Sequence, residues 1–388
     1  MFDKANALEI FEKLYGKGEV RIFFAPGRVN LIGEHIDYNG GYVFPAALEL
    51  GNYVLVRARE DNTVNLAADD LPGTLASCRL DELETKRGKE WGAYQFGVLD
   101  ELLKLGIKLC GMDMLFSSTL PFGAGLSSSA SIEVVTAYAA LKLAGAELSM
   151  TEVALLTQRA ENNFVGVNCG IMDQFACANG KAGHGMLLDC ATVSCQQIPL
   201  NLDGYTIVVG NTNKKRGLAD SKYNERRSEC ERGLEMIRTR CTELKNLCEL
   251  TEDDLAEYDG LLTDETVKAR VTHVVSENAR VIESVLLLKN GDIPGFGKLL
   301  NASHLSLRDL YEVTGRELDA MTEIARAYPG CVGSRMTGAG FGGCTVSIVE
   351  NSAVEGFIAH VSAEYEKATG LRGDLYASNA SDGPVELC

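Results

Sequence analysis

The chain is poor in the residues that mark secreted, membrane-spanning or zinc-built proteins. Trp occurs once in 388 residues, His five times and Pro eight times. Apart from His35, the histidines (His184, His273, His304 and His360) stand far apart with no ligand spacing and read as structural. No C-x-x-C pair occurs among the twelve cysteines, and the spacings Cys190/Cys195 and Cys241/Cys248 are not zinc patterns. Scattered through a long chain, these thiols fit a reduced, cytoplasmic protein better than a disulfide scaffold. No stretch approaches the roughly eighteen apolar residues that a membrane span needs. The start, Met-Phe-Asp-Lys-Ala-Asn, lacks the basic-then-apolar pattern of a signal peptide. Basic residues are scarce as well: 37 Lys and Arg face 54 Asp and Glu, a formal net charge of -17. That sign repels nucleic acid and anionic membrane, so neither is expected as a partner.

What is present is a folded chain with 46% hydrophobic residues, too long for one ordinary core. Hydrophobic spacing predicts helices over 5–15, 91–105, 128–143, 220–242, 265–288 and 353–368. A capping box, Ser149-Met-Thr-Glu152, opens another that runs to about residue 163. Strands are predicted over 20–25, 52–59, 114–116, 186–189, 205–209 and 345–349. The stretch 196–203 contains Pro199 and little periodicity, which places a boundary there between an N-terminal domain (1–200) and a C-terminal domain (201–388). Strands interleaved with helices imply α+β or α/β halves.

Three constellations carry chemistry. The first is Pro26-Gly-Arg-Val-Asn-Leu-Ile-Gly-Glu-His-Ile-Asp-Tyr-Asn-Gly-Gly41. Arg28, Glu34, His35 and Asp37 fall within ten positions on what reads as an irregular loop. Together they offer donors and acceptors at several angles, which suits a small ligand with many hydroxyls. A solvated turn with an Asn-Gly tip is the bland alternative. The second is Pro121-Phe-Gly-Ala-Gly-Leu-Ser-Ser-Ser-Ala130. Its glycines allow close backbone approach and its serines open a helix, whose free amides and dipole favour anions, phosphates above all. It has no Gly-Lys-Ser/Thr ending and no third glycine at 128, so it is neither a P-loop nor a dinucleotide fingerprint. The third is Asp173 in Cys169-Gly-Ile-Met-Asp-Gln-Phe175. An aspartate among such apolar residues is either buried and paired or functional.

In this order the segments resemble the galactokinases, a branch of the small-molecule kinase superfamily that includes homoserine and mevalonate kinases. Gly33-Glu-His-x-Asp-Tyr38 is similar to their sugar signature, with Ile36 where Thr is more common. Residues 121–130 resemble their nucleotide loop, and 169–175 their third sugar segment, with Asn168 in place of a common Pro. Ser221-Lys-Tyr-Asn-Glu-Arg-Arg227 and Gly333-Ser-Arg-Met-Thr-Gly-Ala-Gly-Phe-Gly-Gly343 match two further family motifs.

The resemblance implies an α+β fold with an N-terminal ribosomal-protein-S5-like domain, a C-terminal ferredoxin-like domain and the active site between them. It implies phosphorylation of galactose at C1 by ATP with Mg²⁺, the first committed step of the Leloir pathway. Glu34, His35, Asp37, Gly170, Asp173 and Tyr223 would contact the sugar. Gly123, Ala124, Gly125, Leu126, Ser127, Ser128 and Ser129 would hold ATP, with Trp91 near the adenine. Ser129 and Glu161 would bind the metal. Asp173 would face the reacting hydroxyl with Arg28 as its partner, since a guanidinium keeps a carboxylate ionised. A monomer or weak homodimer is expected. The alternatives are a kinase for N-acetylgalactosamine or another galactose derivative, and an inactive galactose- and ATP-binding transcriptional sensor.

Overall fold

A computed structural model describes residues 2–71, 73–88, 90–121, 123, 125–214 and 219–387, the side chains of 219–221 excepted. Ala124 lies outside the described residues. Among these, the first half is built on a six-stranded sheet. Its two longest strands, β1 (Arg21–Asn30) and β3 (Pro45–Ala58), are neighbours and run antiparallel. Outward from β3 follow β6 (Met112–Ser118), β4 (Thr63–Ala68) and β5 (Leu75–Arg79), with β4 and β6 the parallel pair.

Alternation of side chains assigns the two faces. Ile22, Leu55 and Leu115 pack with Ala7 and Phe11 of helix α1 (Lys4–Tyr15). Phe23, Val54, Val56, Met114 and Phe116 point the other way into the main core. Helices α2 (Ala93–Lys104), α3 (Ser128–Ala144), α4 (Met150–Arg159) and α5 (Met172–Asn179) line that side. A small sheet of β2 (Tyr42–Val43), β7 (His184–Asp189) and β8 (Ser194–Pro199) flanks it.

The second half holds β9 (Tyr205–Asn211), β10 (Cys331–Thr337), β11 (Cys344–Glu350) and β12 (Asp374–Ser378) in the order β10-β11-β9-β12, all antiparallel. With helices between β9 and β10 and between β11 and β12, this is the ferredoxin-like βαββαβ arrangement. Among the described residues the first connection holds five α-helices: α6 (Ala219–Arg238), α7 (Glu252–Tyr258), α8 (Glu265–Lys289), α9 (Ile293–Asp309) and α10 (Arg316–Ala327). Met321 of α10 and Phe357, Val361 and Tyr365 of α11 (Val354–Thr369) cover one face through a separate apolar cluster. The chain then returns to the first sheet, where β13 (Val385–Leu387) pairs with β1.

Several segments differ from their sequence reading, each for a physical reason. β1 does not end at Ala25; it runs to Asn30 across a register shift between Pro26 and Arg28. The Pro and Gly that look like a loop start instead form a bulge. Residues 194–199 pair with β7, so Pro199 closes a strand rather than filling a linker. The helix opened by the capping box is α-helical only to Arg159 and widens into a π-helical turn, Ala160–Val165. The segment 333–337 belongs to β10, and only the glycines after it are irregular.

Candidate active site

The bulge at Gly27 aims the first functional side chain. A Cβ on Gly27 would stand 2.7 Å from both Leu120 and the Leu126 carbonyl oxygen, so the strand passes hard against the 121–128 loop. The next residue, Arg28, is 3% exposed. Its guanidinium donates to Asp173 Oδ1 through Nε (2.9 Å), with Nη2 2.7 Å from the same oxygen, and to the Gly125 carbonyl through Nη1 (2.9 Å). Burial disfavours the Arg28 charge, but the Asp173 and Glu34 carboxylates outweigh it and hold the group above its ordinary range. Asp173, in the first turn of α5, keeps part of its carboxylate accessible. The expected pair therefore forms, with one member locked in protein and the other reachable.

Gly33 (φ +103) and His35 (φ +63) turn the chain sharply after β1. Only the first is a glycine; His35 adopts the left-handed region because its ring is held at both nitrogens. Nε2 lies 3.2 Å from the Ala339 carbonyl, which can only accept, so Nε2 carries the proton. Nδ1 then accepts from the Tyr38 hydroxyl at 2.9 Å, Tyr38 accepts from Tyr311 at 2.9 Å, and Tyr311 accepts from the Cys230 thiol at 3.0 Å. Burial, with His273 nearby, depresses His35 to about 3, so the ring is neutral. Glu34 is equally committed: Oε1 accepts from the Gly338 amide (2.8 Å), Thr337 (3.1 Å) and Arg335 (3.4 Å). His273, read from sequence as structural, donates to the Glu34 carbonyl. The sugar-signature turn is thus bonded directly to the final glycine motif, 300 residues away in the chain.

Asp37 opens a 3₁₀ turn and lines a cleft of about 480 Å³ with Gly170, Cys169, Asn168, Gln158 and Arg227. Burial and the Asp173 charge push its carboxyl up to about 7. Gly170 abuts this carboxylate so closely that any Cβ would collide with it. Tyr223 packs its ring 5.6 Å from that of His35 and 5.4 Å from that of Tyr38. Burial and Asp37 raise its phenol well above the usual range, keeping it a neutral donor.

The phosphate-type loop leads from β6 to α3. Gly123 (φ +69), Gly125 (φ +73) and Ser127 (φ +59) carry it into α3, whose start has no side-chain cap. Leu126 is buried, Ser128 is exposed and Ser129 half-buried. The Ser127 hydroxyl is buried with no partner among the described residues. Trp91 lines a second cleft of about 310 Å³ with Ser77, Lys86, Glu90 and Phe96.

Glu161 sits in the π-helical turn and is 5% exposed. Oε2 accepts from Gln174 Nε2 at 2.5 Å and from the Cys169 thiol at 3.6 Å. Burial and the Asp173 charge raise it to about 7. Sequence reading missed its neighbour Glu133, which is fully buried in α3 and accepts from the same Gln174 nitrogen at 3.2 Å. Burial and Glu161 push Glu133 well up, and its Oε1 has no hydrogen-bond partner among the described residues. The signal was available: a glutamate in an Ala/Val-rich helix, four residues after Ser129 and therefore on the same helical face. No Lys, Arg or His pairs with either glutamate among the described residues. Buried carboxyls without a countercharge are the donor set a hard divalent cation stabilises, so Glu161 fits the Mg²⁺ expectation. No group of three or more His, Cys, Asp or Glu able to hold a metal occurs among the described residues.

The galactokinase galactose-binding signature matches residues 9–58, the GHMP kinases N terminal domain 93–181 and the GHMP kinases C terminal 284–367. A mevalonate kinase of solved structure shares the fold, with a TM-score of 0.64 at 20% identity over 93% of this chain and 100% of that one. Fold and site together define the class as a GHMP-type small-molecule kinase. The chain is 49% identical to the galactokinase of Halalkalibacterium halodurans (95% of this chain, 93% of that one) and 48% identical to that of Clostridium tetani (97% and 96%). The crystal structure of Lactococcus lactis galactokinase complexed with galactose matches with a TM-score of 0.95 at 40% identity, covering 99% of this chain and all of that one. The chain belongs to the galactokinase family.

Proposed function

We propose that the protein transfers the γ-phosphoryl group of ATP to the C1 hydroxyl of α-D-galactose, giving galactose 1-phosphate. The observation that carries this is the Arg28–Asp173 pair, 2.7 Å apart and adjoining the sugar-signature turn, in a chain 49% identical to a named galactokinase. In this reading Asp37, Tyr223, Glu34 and His35 bind the sugar hydroxyls, with Gly170 leaving room beside Asp37. The open carboxylate oxygen of Asp173 orients the C1 hydroxyl and accepts its proton as the oxygen attacks. Arg28 holds Asp173 in place and meets the negative charge of the loose transition state. The amides of the 123–129 loop and the start of α3 hold the phosphates. The cleft at Trp91 takes the adenine. Ser129 and Glu161 are the residues that would hold Mg²⁺, which when bound supplies positive charge to the phosphate oxygens. The inactive-sensor alternative has no support in a chain that keeps Arg28, Asp173 and the three serines.

Galactose and glucose differ only at C4, and a site built to bond one hydroxyl rejects the epimer strongly, because its own polar groups go unpaired. ADP release with a panel of sugars is the test. Glucose should be a very poor substrate and 2-deoxygalactose a much better one. Comparable turnover of glucose and galactose would overturn the reading. Preference for N-acetylgalactosamine would redirect it within the class.

A further inference from the structure

Asp173 and Gln174 are adjacent on α5, so their side chains leave the helix about 100° apart. One meets Arg28 and the other meets Glu161. Gln174 is fully buried, and its amide nitrogen has two hydrogens. One reaches Glu161 Oε2 at 2.5 Å and the other Glu133 Oε2 at 3.2 Å. Glu133 belongs to α3, the helix that begins at the phosphate-type loop; Glu161 belongs to the π-helical turn after α4. One amide therefore ties three segments together at the point where a cation would need its protein ligand held still. No purely structural demand explains it, since apolar side chains would fill this interior at lower desolvation cost.

We propose that Gln174 is a positioning residue for the candidate metal ligand Glu161, and that Glu133 anchors Gln174 from the far side. The inference rests on the galactokinase reading in placing the cation at Glu161. With the amide in place, Glu161 Oε2 is held between Gln174 and the Cys169 thiol, which fixes the carboxylate from one side. Because the same helix carries Asp173, the pair also fixes the cation site relative to the group that meets the sugar.

The test uses the full chain and two readouts: binding of Mn²⁺ in the presence of ADP, followed by water-proton relaxation, and galactose binding by calorimetry without metal or nucleotide. In Gln174→Leu, Mn²⁺ affinity should fall about tenfold or more, the scale on which outer partners of metal ligands act. The Mg²⁺ concentration for half-maximal turnover should rise in parallel, with galactose affinity unchanged. Glu133→Leu should shift both metal readouts in the same direction, whereas Glu133→Gln keeps an oxygen facing the Gln174 amide and should restore them. Should the leucine variants fail to fold, Gln174→Asn, which withdraws the amide by one carbon, should show the same metal-selective loss. Unchanged Mn²⁺ binding in a folded Gln174 variant, or equal losses of metal and galactose binding, would overturn the proposal. If the unmodified protein binds Mn²⁺ with ADP but does not phosphorylate galactose, it is the catalytic reading that fails, and the Gln174 comparison still stands.

Discussion

The turn at residues 33–38 and the loop at 123–129 both open on a glycine with positive φ, yet they are built in opposite ways. In the turn, Glu34 and His35 spend hydrogen bonds on Arg335, Thr337, Gly338 and Ala339, and a relay of hydroxyls and a thiol runs behind them to Cys230. In the loop, α3 starts without a side-chain cap and the Ser127 hydroxyl is buried with no partner among the described residues. The first region is organised by protein. The second ends at a helix start, where free amides and the helix dipole favour an anion. A stereochemically demanding ligand needs fixed partners, because selectivity is lost when they can relax; a polyphosphate needs charge and room more than exact angles. Asp173, held by Arg28, stands where the two meet.

The largest effect should come from breaking that junction. Asp173→Asn keeps the shape but removes the charge that takes the proton and pairs with Arg28. Turnover should fall by roughly 10²-fold or more, the scale of positioned base catalysis. Galactose should still bind by calorimetry. Near-normal turnover would remove Asp173 from the mechanism.

Next comes the loop side. Glu161→Ala should raise the Mg²⁺ requirement at least about tenfold while the KM for galactose stays near its original value. Equal changes in both would place Glu161 outside the metal site.

The organised turn gives a third, smaller test. Gly170 has an ordinary backbone conformation, so only the Asp37 carboxylate forbids a side chain there. Gly170→Ala should displace Asp37 or the 168–171 segment at the overpacking cost of about 1–3 kcal/mol. Galactose affinity should then drop about tenfold, near the lower end of that range. Nucleotide binding should not change, because the loop at 123–129 is made by other segments. A parallel loss of both would show that the two regions are not separable.

The legibility of this molecule follows the same division. Local signals were read correctly where a single segment defines itself: the capping box at Ser149 and Glu152, the helix beginning at Ser128, and the Gly-Glu-His-x-Asp-Tyr string. The Arg28–Asp173 pair was expected as well, from the resemblance of the two segments that carry it, and the structure brings the two side chains together. What escaped depends on partners far away in the chain. That β1 continues through Pro26 and Gly27 is decided by its pairing with β3, and that 194–199 is a strand by its pairing with β7. Glu133 looked like one more position on an alanine-rich helix until Gln174 placed it against Glu161. The bond from Glu34 to Gly338 joins two motifs that each read as ligand loops by themselves. Alternation and caps are one-dimensional; bulges, relays and buried carboxyl clusters are not.

The smallest effect separates the two regions by pH. Burial lifts the Asp37 carboxyl from an ordinary value near 3.8 to about 7 in the folded protein. Between about pH 4 and 7 the folded chain therefore keeps a proton that the unfolded chain has released. Its contribution to stability is full at the acid end of that window and is lost as pH rises through about 7. Asp37→Asn carries a permanently neutral side chain of the same shape and has no such slope. The difference in Tm, variant minus unmodified protein, should grow from pH 4 to 7 and then level off; thermal unfolding across pH 4 to 8 measures it. Galactose hydroxyls donate best to the ionised carboxylate, so galactose binding to the unmodified protein should tighten as pH rises through about 7, and that pH dependence should vanish in the variant. A Tm difference that stays flat across the whole range would show that Asp37 titrates as an ordinary surface aspartate, and that the turn is less closed to water than its hydrogen bonds imply.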